Sequence, residues 1–372
     1  MKKILFLPFL TMPSGHQQVA DALMESIRCI DSSIVCEKVD LFHYSYKKLE
    51  SLASRFYIKW ITIFPKTYSW IYRKTVYNDH QTQHRYPIYE RLFLKQMQRL
   101  LAEKQPDLLV CTHALPSYIA SRLIRNNLLC IPVINAYTDF FVNDVWGGKE
   151  IEFHFAPDPY IKQMLLDKGI GEHQIFITGI PVHPKITKRN HRSRDKTSYS
   201  VLITGGSHGI GAIKSLLKKV DRIKNVQFYV LCGNNKKLYR QIKKGYPHVT
   251  PMTYIQSRAE MNALYDRMDG VLTKPGGVTV SESIYKRIPI FIYDALPGQE
   301  EINLDHLKRL GLVYHVDVRS KRADIEEQLL GVLASEQSLQ QLQDNLFRYH
   351  GQMTKHHLVL TMEHIIHHAF TI

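Results

Sequence analysis

From Thr273 to Asn303 the chain reads TKPGGVTVSESIYKRIPIFIYDALPGQEEIN, which concentrates several residue types able to hold a small polar ligand. Gly276 and Gly277 follow an apolar run and precede a helical pattern, so their amides would point at phosphate oxygens. Glu282 falls on the first turns of that helix, where a carboxylate can accept two hydrogen bonds from ribose hydroxyls. After the apolar run IPIFIYD come Gln299, Glu300 and Asn303, amides beside a carboxylate that suit the donors and acceptors of a hexose ring. Together these residues point to a nucleotide-sugar. A second glycine loop, Gly205-Gly206-Ser207-His208-Gly209-Ile210-Gly211, also joins a strand pattern to a helix and suits a diphosphate; a plain tight turn is the alternative. No GK[ST] follows it, and its glycines do not stand in GxGxxG order, so it is neither a Walker loop nor a dinucleotide fingerprint. The chain holds no Asp-x-Asp pair. Helix dipoles and basic side chains, rather than a metal, are therefore expected to hold the diphosphate, and no cofactor is expected. Near the start, Thr11-Met12-Pro13-Ser14-Gly15-His16 again links a strand to a helix. His16 there could take a proton from a hydroxyl, or simply cap or pack.

These residues need a scaffold that brings loops together. Apolar runs alternate with helical patterns: ILFLPF with QQVADALMESI, DLLVCTH with SYIASRLIRN, then PVINAYTDF, HFAP, PYIKQMLLDKG and IFITGIPV. A second series starts at SVLITGG and continues through VQFYVLCG, TYI, GVLTKPGG and IPIFIYD, each followed by a helical pattern. This alternation predicts an α/β class with two parallel-sheet domains and a ligand at the carboxyl ends of the strands. The basic, aperiodic stretch KITKRNHRSRDKTSYS separates the series. The expected organisation is an N-terminal domain over 1–184, a linker over 185–198, a C-terminal domain over 199–350 and a terminal helix over 351–372 packing back on the first domain.

A length of 372 residues fits two such domains, and a net charge of +15 suggests a polyanionic partner. The five cysteines show no metal spacing and no CxxC pair, as expected of a reduced cytosolic chain. The start MKKILFLPFL has a basic residue pair and a short apolar run, but no small-residue cleavage site follows, so a buried strand is expected rather than a leader. No apolar run approaches a membrane span. Between Arg55 and Lys74 lies a basic, aromatic segment: Phe56, Trp60, Ile63 and Phe64 share one helical face, with Arg55 and Lys59 to another side and Trp70 beyond. It reads either as a surface-lying membrane helix or as an ordinary amphipathic core helix. Nucleic-acid binding has only the net charge behind it, with no RNP, helix-turn-helix or zinc pattern.

The combination KPGG…SE…PGQEE resembles the signature of the diacylglycerol glycosyltransferases, the processive diglucosyldiacylglycerol and monogalactosyldiacylglycerol synthases of glycosyltransferase family 28. More distantly it is similar to the peptidoglycan glycosyltransferase that adds N-acetylglucosamine to a lipid-linked precursor. The likeness spans most of the chain, through Gly15-His16, Thr138-Asp139-Phe140 to Trp146, Thr178-Gly179-Ile180-Pro181-Val182 and Cys232-Gly233-Asn234-Asn235-Lys236. It implies a GT-B fold, two Rossmann-like domains facing across a cleft, and inverting, metal-independent transfer from a UDP-sugar to a lipid hydroxyl such as that of diacylglycerol. It places uracil near Tyr254, Ile255 and the loop of Cys232, Gly233 and Asn235. Diphosphate falls to Gly206, Ser207, Gly276 and Gly277, with Lys274 and Thr279 in the same donor-binding set; ribose falls to Glu282 and sugar to Gln299 and Glu300, with Asn303. His16 matches the family's glycine-loop histidine and Asp139 a family aspartate, so either is the implied base. Arg55, Phe56, Lys59, Trp60, Phe64 and Trp70 match the region that meets the bilayer. The implied place is the cytoplasmic face of the cell membrane, with an anionic lipid surface as partner and no nucleic acid. Two positions depart from the family: Met12-Pro13-Ser14-Gly15 replaces a richer glycine run, and Asn143 stands where several relatives carry histidine. Both lie in the acceptor half. They leave open a sensor or scaffold that binds UDP-sugar without efficient turnover.

Overall fold

A computed structural model describes residues 2–9, 14–47, 85–189, 198–205, 213–296, 298–318, 320, 324–353 and 358–369. The basic, aromatic segment with Arg55, Phe56, Lys59, Trp60, Phe64 and Trp70, and the loop residues Gly206 and Ser207, lie outside the described residues. The chain divides into two compact units, Met1–His183 with Gln352–Ile372, and Pro184–Gly351.

Unit 1 holds β1 (Lys3–Leu7), α1 (Gly15–Ile30), β2 (Val35–Lys38), α2 (Leu41–Tyr46), α3 (Pro87–Lys104), β3 (Leu108–Cys111), α4 (Ala114–Arg125), β4 (Val133–Ala136), β5 (Phe153–Ala156), α5 (Pro159–Asp167) and β6 (Ile175–Ile177). Its sheet runs β2-β1-β3-β4-β5-β6, parallel throughout, with Ile4 opposite Leu108 and Ile134 opposite Phe153. The inner strands β3, β4 and β5 are buried at every position. That is why they read as unbroken apolar runs rather than alternating ones: helices cover both faces of a parallel sheet. Local chemistry sets the helix starts. Asp158 accepts from Ile161 N at 3.0 Å ahead of Pro159 in α5, and the His113 ring accepts from Leu115 N at 3.1 Å at the start of α4. The terminal helix, α13 (Leu358–Ala369), belongs to this unit and packs on α1, burying Met362, Ile365 and Ile366.

Unit 2 holds β7 (Tyr199–Thr204), α6 (Ile213–Val220), β8 (Val226–Leu231), α7 (Lys236–Gly245), β9 (Val249–Met252), α8 (Arg258–Arg267), β10 (Gly270–Thr273), α9 (Gly277–Tyr285), β11 (Ile290–Ile292), α10 (Gln299–Arg309), β12 (Tyr314–His315), α11 (Ile325–Leu333) and α12 (Glu336–Gly351). Its sheet runs β12-β11-β10-β7-β8-β9, again parallel. The strand expected at Thr253–Ile255 lies earlier, at Val249–Met252. It contains Pro251, which an edge strand tolerates because one side of its backbone needs no partner. Tyr254 and Ile255 consequently sit in the loop beyond the strand's carboxyl end. The start of the basic segment between the two series is tied into unit 2. Ile186 is buried, Thr187 N donates to Asn262 Oδ1 at 3.0 Å, and the Arg189 guanidinium donates to Met268 O at 2.7 Å.

In both sheets the chain leaves a central pair of strands in opposite directions, between β1 and β3 in unit 1 and between β7 and β10 in unit 2. Such a switch point, at the strands' carboxyl ends, is the usual ligand position in sheets of this kind.

Candidate functional site

In unit 1 the switch point is occupied by His16, in the first turn of α1. Its Nδ1 lies 2.8 Å from Thr112 O, just past β3, and 2.9 Å from Thr138 Oγ1, just past β4. A carbonyl oxygen can only accept, so Nδ1 carries the proton and Nε2 keeps the lone pair. Thr112 returns the grip, its hydroxyl donating to His16 O at 3.0 Å. Thr138 Oγ1 in turn donates to Asp139 Oδ2 at 3.4 Å. The His113 ring meets His16 edge-on at 4.6 Å and stacks on Phe9 at 4.8 Å, which ties the site to the apolar cluster of Phe9, Phe42 and Phe93. Burial lowers the His16 pKa, with the Asp139 charge and the Thr112 carbonyl opposing. Burial, then the neighbouring His16, lowers that of His113 well below its ordinary value. The outcome is a neutral imidazole held by two strand ends, with its basic nitrogen off the bonded side: the state a general base requires. The two candidates named from sequence thus stand in one chain of contacts, His16–Thr138–Asp139. Thr112 and Thr138 carry it; Thr138 stands in the Thr138-Asp139-Phe140 block, whereas sequence inspection missed Thr112 and the bonds of both to His16, which span 96 and 122 residues.

Asn143 is buried and accepts from Val145 N at 3.1 Å, shaping the crossover between β4 and β5. A cavity of about 330 Å³ opens beside this crossover, lined by Tyr137, Asn143, Asp144, Trp146, Leu165 and Lys168 among others. None of the site residues named from sequence lines it.

In unit 2 the turn Lys274-Pro275-Gly276 leaves β10 and feeds α9. Gly276 N donates to Lys274 O at 2.8 Å, and Gly276 precedes the helix without a side-chain cap or an acidic first turn. Among the described residues, a Cβ at Gly276 would meet no neighbour within 4 Å, and an uncapped helix start of this kind favours an anion. Thr279 lies in this first turn and its carbonyl accepts from Ser283 Oγ at 2.8 Å. Glu282 is 4% exposed, with Oε1 3.2 Å from Arg258 Nη1 and Oε2 2.9 Å from the Tyr265 hydroxyl. Burial raises its pKa, and the Arg258 charge and Tyr265 hydroxyl work against that rise.

Lys274 is buried, its ammonium 3.5 Å from Asp294 and 3.8 Å from Glu300. Glu300 also accepts from Leu296 N at 2.6 Å. Asp294 is the unforeseen member of this group; as the last residue of IPIFIYD it reads as the end of a strand. Gly298, at φ +94°, makes the reversal into α10, and Glu301 accepts from Gly298 N at 3.1 Å. Gln299 is half-buried at the first position of that helix. Asn303 is 1% exposed and its amide donates to Pro275 O at 3.0 Å, tying α10 to the glycine turn.

The loop after β8 carries Cys232, Gly233 and Asn235. Cys232 is fully buried in the core, and burial pushes its thiol up to about 11. Asn235 caps α7 by accepting from Leu238 N at 2.9 Å. Gly233, at φ +56°, bends the chain between them, and the neighbouring Asn234 is exposed. Tyr254 is 39% exposed and stands with Ile255 in the loop between β9 and α8. No group of three or more potential metal ligands occurs among the described residues.

Residues 16–182 match the family described as monogalactosyldiacylglycerol (MGDG) synthase, and residues 200–356 match the glycosyltransferase family 28 C-terminal domain. The chain is 42% identical, over 98% of both chains, to the uncharacterized glycosyltransferase YkoN of Bacillus subtilis (strain 168). It is 29% identical to a processive diacylglycerol beta-glucosyltransferase of Bacillus cereus (strain B4264), over 80% of this chain and 78% of the other. Among solved structures it is similar to Acinetobacter baumannii MurG, with a TM-score of 0.60, 14% identity and 100% of each chain covered, a likeness of GT-B fold.

Proposed function

Because the chain belongs to the diacylglycerol glycosyltransferases of glycosyltransferase family 28, and is a UDP-sugar glycosyltransferase, we propose that it moves a hexose to the hydroxyl of a membrane lipid such as diacylglycerol, with inversion and without a metal. The observation that carries this reading is the uncapped start of α9 at the switch point of unit 2, with Glu282 one and a half turns along the same helix. The α9 amides receive the diphosphate, and Glu282 accepts the ribose hydroxyls. Gln299 and Glu300, the latter set by Lys274 and Leu296 N, take the sugar hydroxyls. Tyr254 and Ile255, with the backbone around Gly233, receive the uracil.

His16 Nε2 takes the proton of the acceptor hydroxyl. The oxygen's electron pair forms the new bond to the anomeric carbon from the face opposite UDP. The bond from that carbon to the β-phosphate oxygen breaks, and UDP leaves with its electrons, its developing charge met by helix amides. Asp139, linked through Thr138, favours the imidazolium that forms.

The lipid side has support from α3, where Ile88, Tyr89 and Leu92 are 72%, 39% and 41% exposed and Arg91, Lys95 and Arg99 are exposed with them. Apolar side chains beside cations suit an anionic bilayer surface. No described helix is long and apolar enough to cross a membrane, so a peripheral association at the inner face fits. The test is mass spectrometry of products from purified protein given mixed UDP-sugars and diacylglycerol in anionic vesicles, with chelator present. A hexosyl-diacylglycerol of inverted configuration supports the proposal. Tight UDP-sugar binding without any glycolipid would favour a sensor instead.

A further inference from the structure

We propose that Arg258 is a positioning residue for nucleoside recognition: from the first turn of α8 it holds the Glu282 carboxylate in one orientation and in its acceptor form, leaving that carboxylate two open sites for a vicinal diol. This deepens the nucleotide reading of unit 2 and rests on it.

The geometry is a two-point clamp. Arg258 and Tyr265 are seven residues apart, two turns of α8, and so share a face. Arg258 takes Oε1 at 3.2 Å and the Tyr265 hydroxyl takes Oε2 at 2.9 Å. An ionised carboxylate offers about four acceptor sites, and the clamp uses one on each oxygen. Two remain, one per oxygen, the number that the two hydroxyls of a ribose need. Protonation would turn one oxygen into a donor and spoil the match. The helix that carries the clamp is itself anchored: Ser257 accepts from Glu260 N at 3.3 Å at its start, and Tyr265 is 1% exposed.

Keeping Glu282 ionised is a problem because it is 4% exposed, and burial disfavours charge. Arg258 is the cation that faces it. The other charged groups nearby are engaged elsewhere. Lys286, one turn along α9, donates to Asn262 Oδ1 at 2.8 Å and Asp266 Oδ1 at 2.5 Å. Lys274 lies between Asp294 and Glu300. The Tyr265 hydroxyl stays protonated, since burial, then Glu282, pushes its pKa well up. It supplies a hydrogen bond but no positive charge. With Arg258 removed, Glu282 would keep a partner and lose its counter-charge.

The experiment uses the full chain in wild-type, Arg258→Ala and Arg258→Lys forms, with Arg258→Gln in reserve should the alanine variant fold poorly. Carbon-13 NMR of labelled glutamates, with Glu282 assigned through Glu282→Gln, reads its titration without ligand. Calorimetry reads UDP affinity from pH 6 to pH 8. The expected result is a Glu282 midpoint that rises in Arg258→Ala, with UDP affinity about tenfold weaker at pH 6 than at pH 8 in that variant and nearly constant in the wild type. Arg258→Lys should restore most of the constancy. A loss of affinity equal at every pH, with the Glu282 midpoint unmoved, would make Arg258 a structural tie and overturn the proposal, as would unchanged UDP binding in Arg258→Ala. Failure of the wild type itself to bind UDP would overturn the nucleotide reading, and the wild-type trace separates that outcome from the others.

Discussion

His16, the proposed base, shows how much of a protonation state the surrounding backbone can set. The Thr112 carbonyl selects the tautomer, Thr138 supports the ring, and burial keeps it neutral. His16→Ala should therefore lower turnover by about 10²–10⁴-fold, while Asp139→Asn, acting through Thr138, should cost less. Steady-state rates on the two variants decide which residue is the base, and the reverse order would assign it to Asp139. Because the base must be unprotonated and its pKa lies below the usual 6.5, kcat/KM should stay flat from neutrality down to that value and fall only in more acid solution. A plateau reached only above pH 7 would contradict the burial argument. At this scale the sequence exposed the types and missed the partners. His16, Glu282, Gln299 and Glu300 stand in loops and helix starts whose glycines announce them. Thr112, Arg258 and Asp294 are ordinary residues made relevant by contacts that no local pattern encodes, and the bond from Thr138 to His16 is equally non-local. Cys232 and Asn235 were quoted as a motif, yet one fills the core and the other caps a helix.

At the scale of elements, the active loops are placed by tight local devices. Gly298 adopts φ +94°, ψ −110°, a backbone state essentially reserved for glycine, and it starts the helix carrying Gln299 and Glu300. Gly298→Ala should cost about 1–3 kcal/mol and raise KM for the UDP-sugar more than it lowers kcat; denaturant unfolding together with donor titration checks both. A second device lies on β5. His154 is fully buried, its Nδ1 2.8 Å from the Tyr137 hydroxyl, and burial lowers its pKa to about 4. The folded state then resists a proton that the unfolded chain accepts, so stability present above pH 6.5 drains away as pH falls from 6.5 toward 4, by about 3 kcal/mol in all. Urea unfolding at several pH values should show this slope in the wild type and a shallower one in His154→Phe. The central strands were readable because a doubly covered parallel sheet writes unbroken apolar runs. The edge strands β2 and β12 and helix α3 were not read. β2 is half-buried and ends on two adjacent charged residues, Glu37 and Lys38, β12 is two residues long, and the exposed face of α3 carries Ile88 and Leu92 where polar residues would mark a helical period.

For the whole molecule, the net charge of +15 and the exposed apolar and basic face of α3 favour an anionic surface over a neutral one. Sedimentation with vesicles should show binding that rises with anionic lipid content and weakens with salt, and Ile88→Ser with Leu92→Ser should reduce it; equal binding to neutral vesicles would remove charge from the account. The division into two parallel-sheet units followed from strand–helix alternation alone. The boundary did not: Ile186, Thr187 and Arg189 look like linker by composition, and long-range bonds to Asn262 and Met268 assign them to unit 2.

In the proposed reading, unit 2 grips a uridine diphosphate through the α9 amides and Glu282 without a divalent ion. Calorimetric titration of UDP into the full chain in excess chelator tests it most directly. Saturable one-to-one binding is expected, weakened at least about tenfold by Glu282→Ala and unchanged by added magnesium. Binding that appears only with the metal, or that survives loss of the Glu282 carboxylate intact, would contradict it.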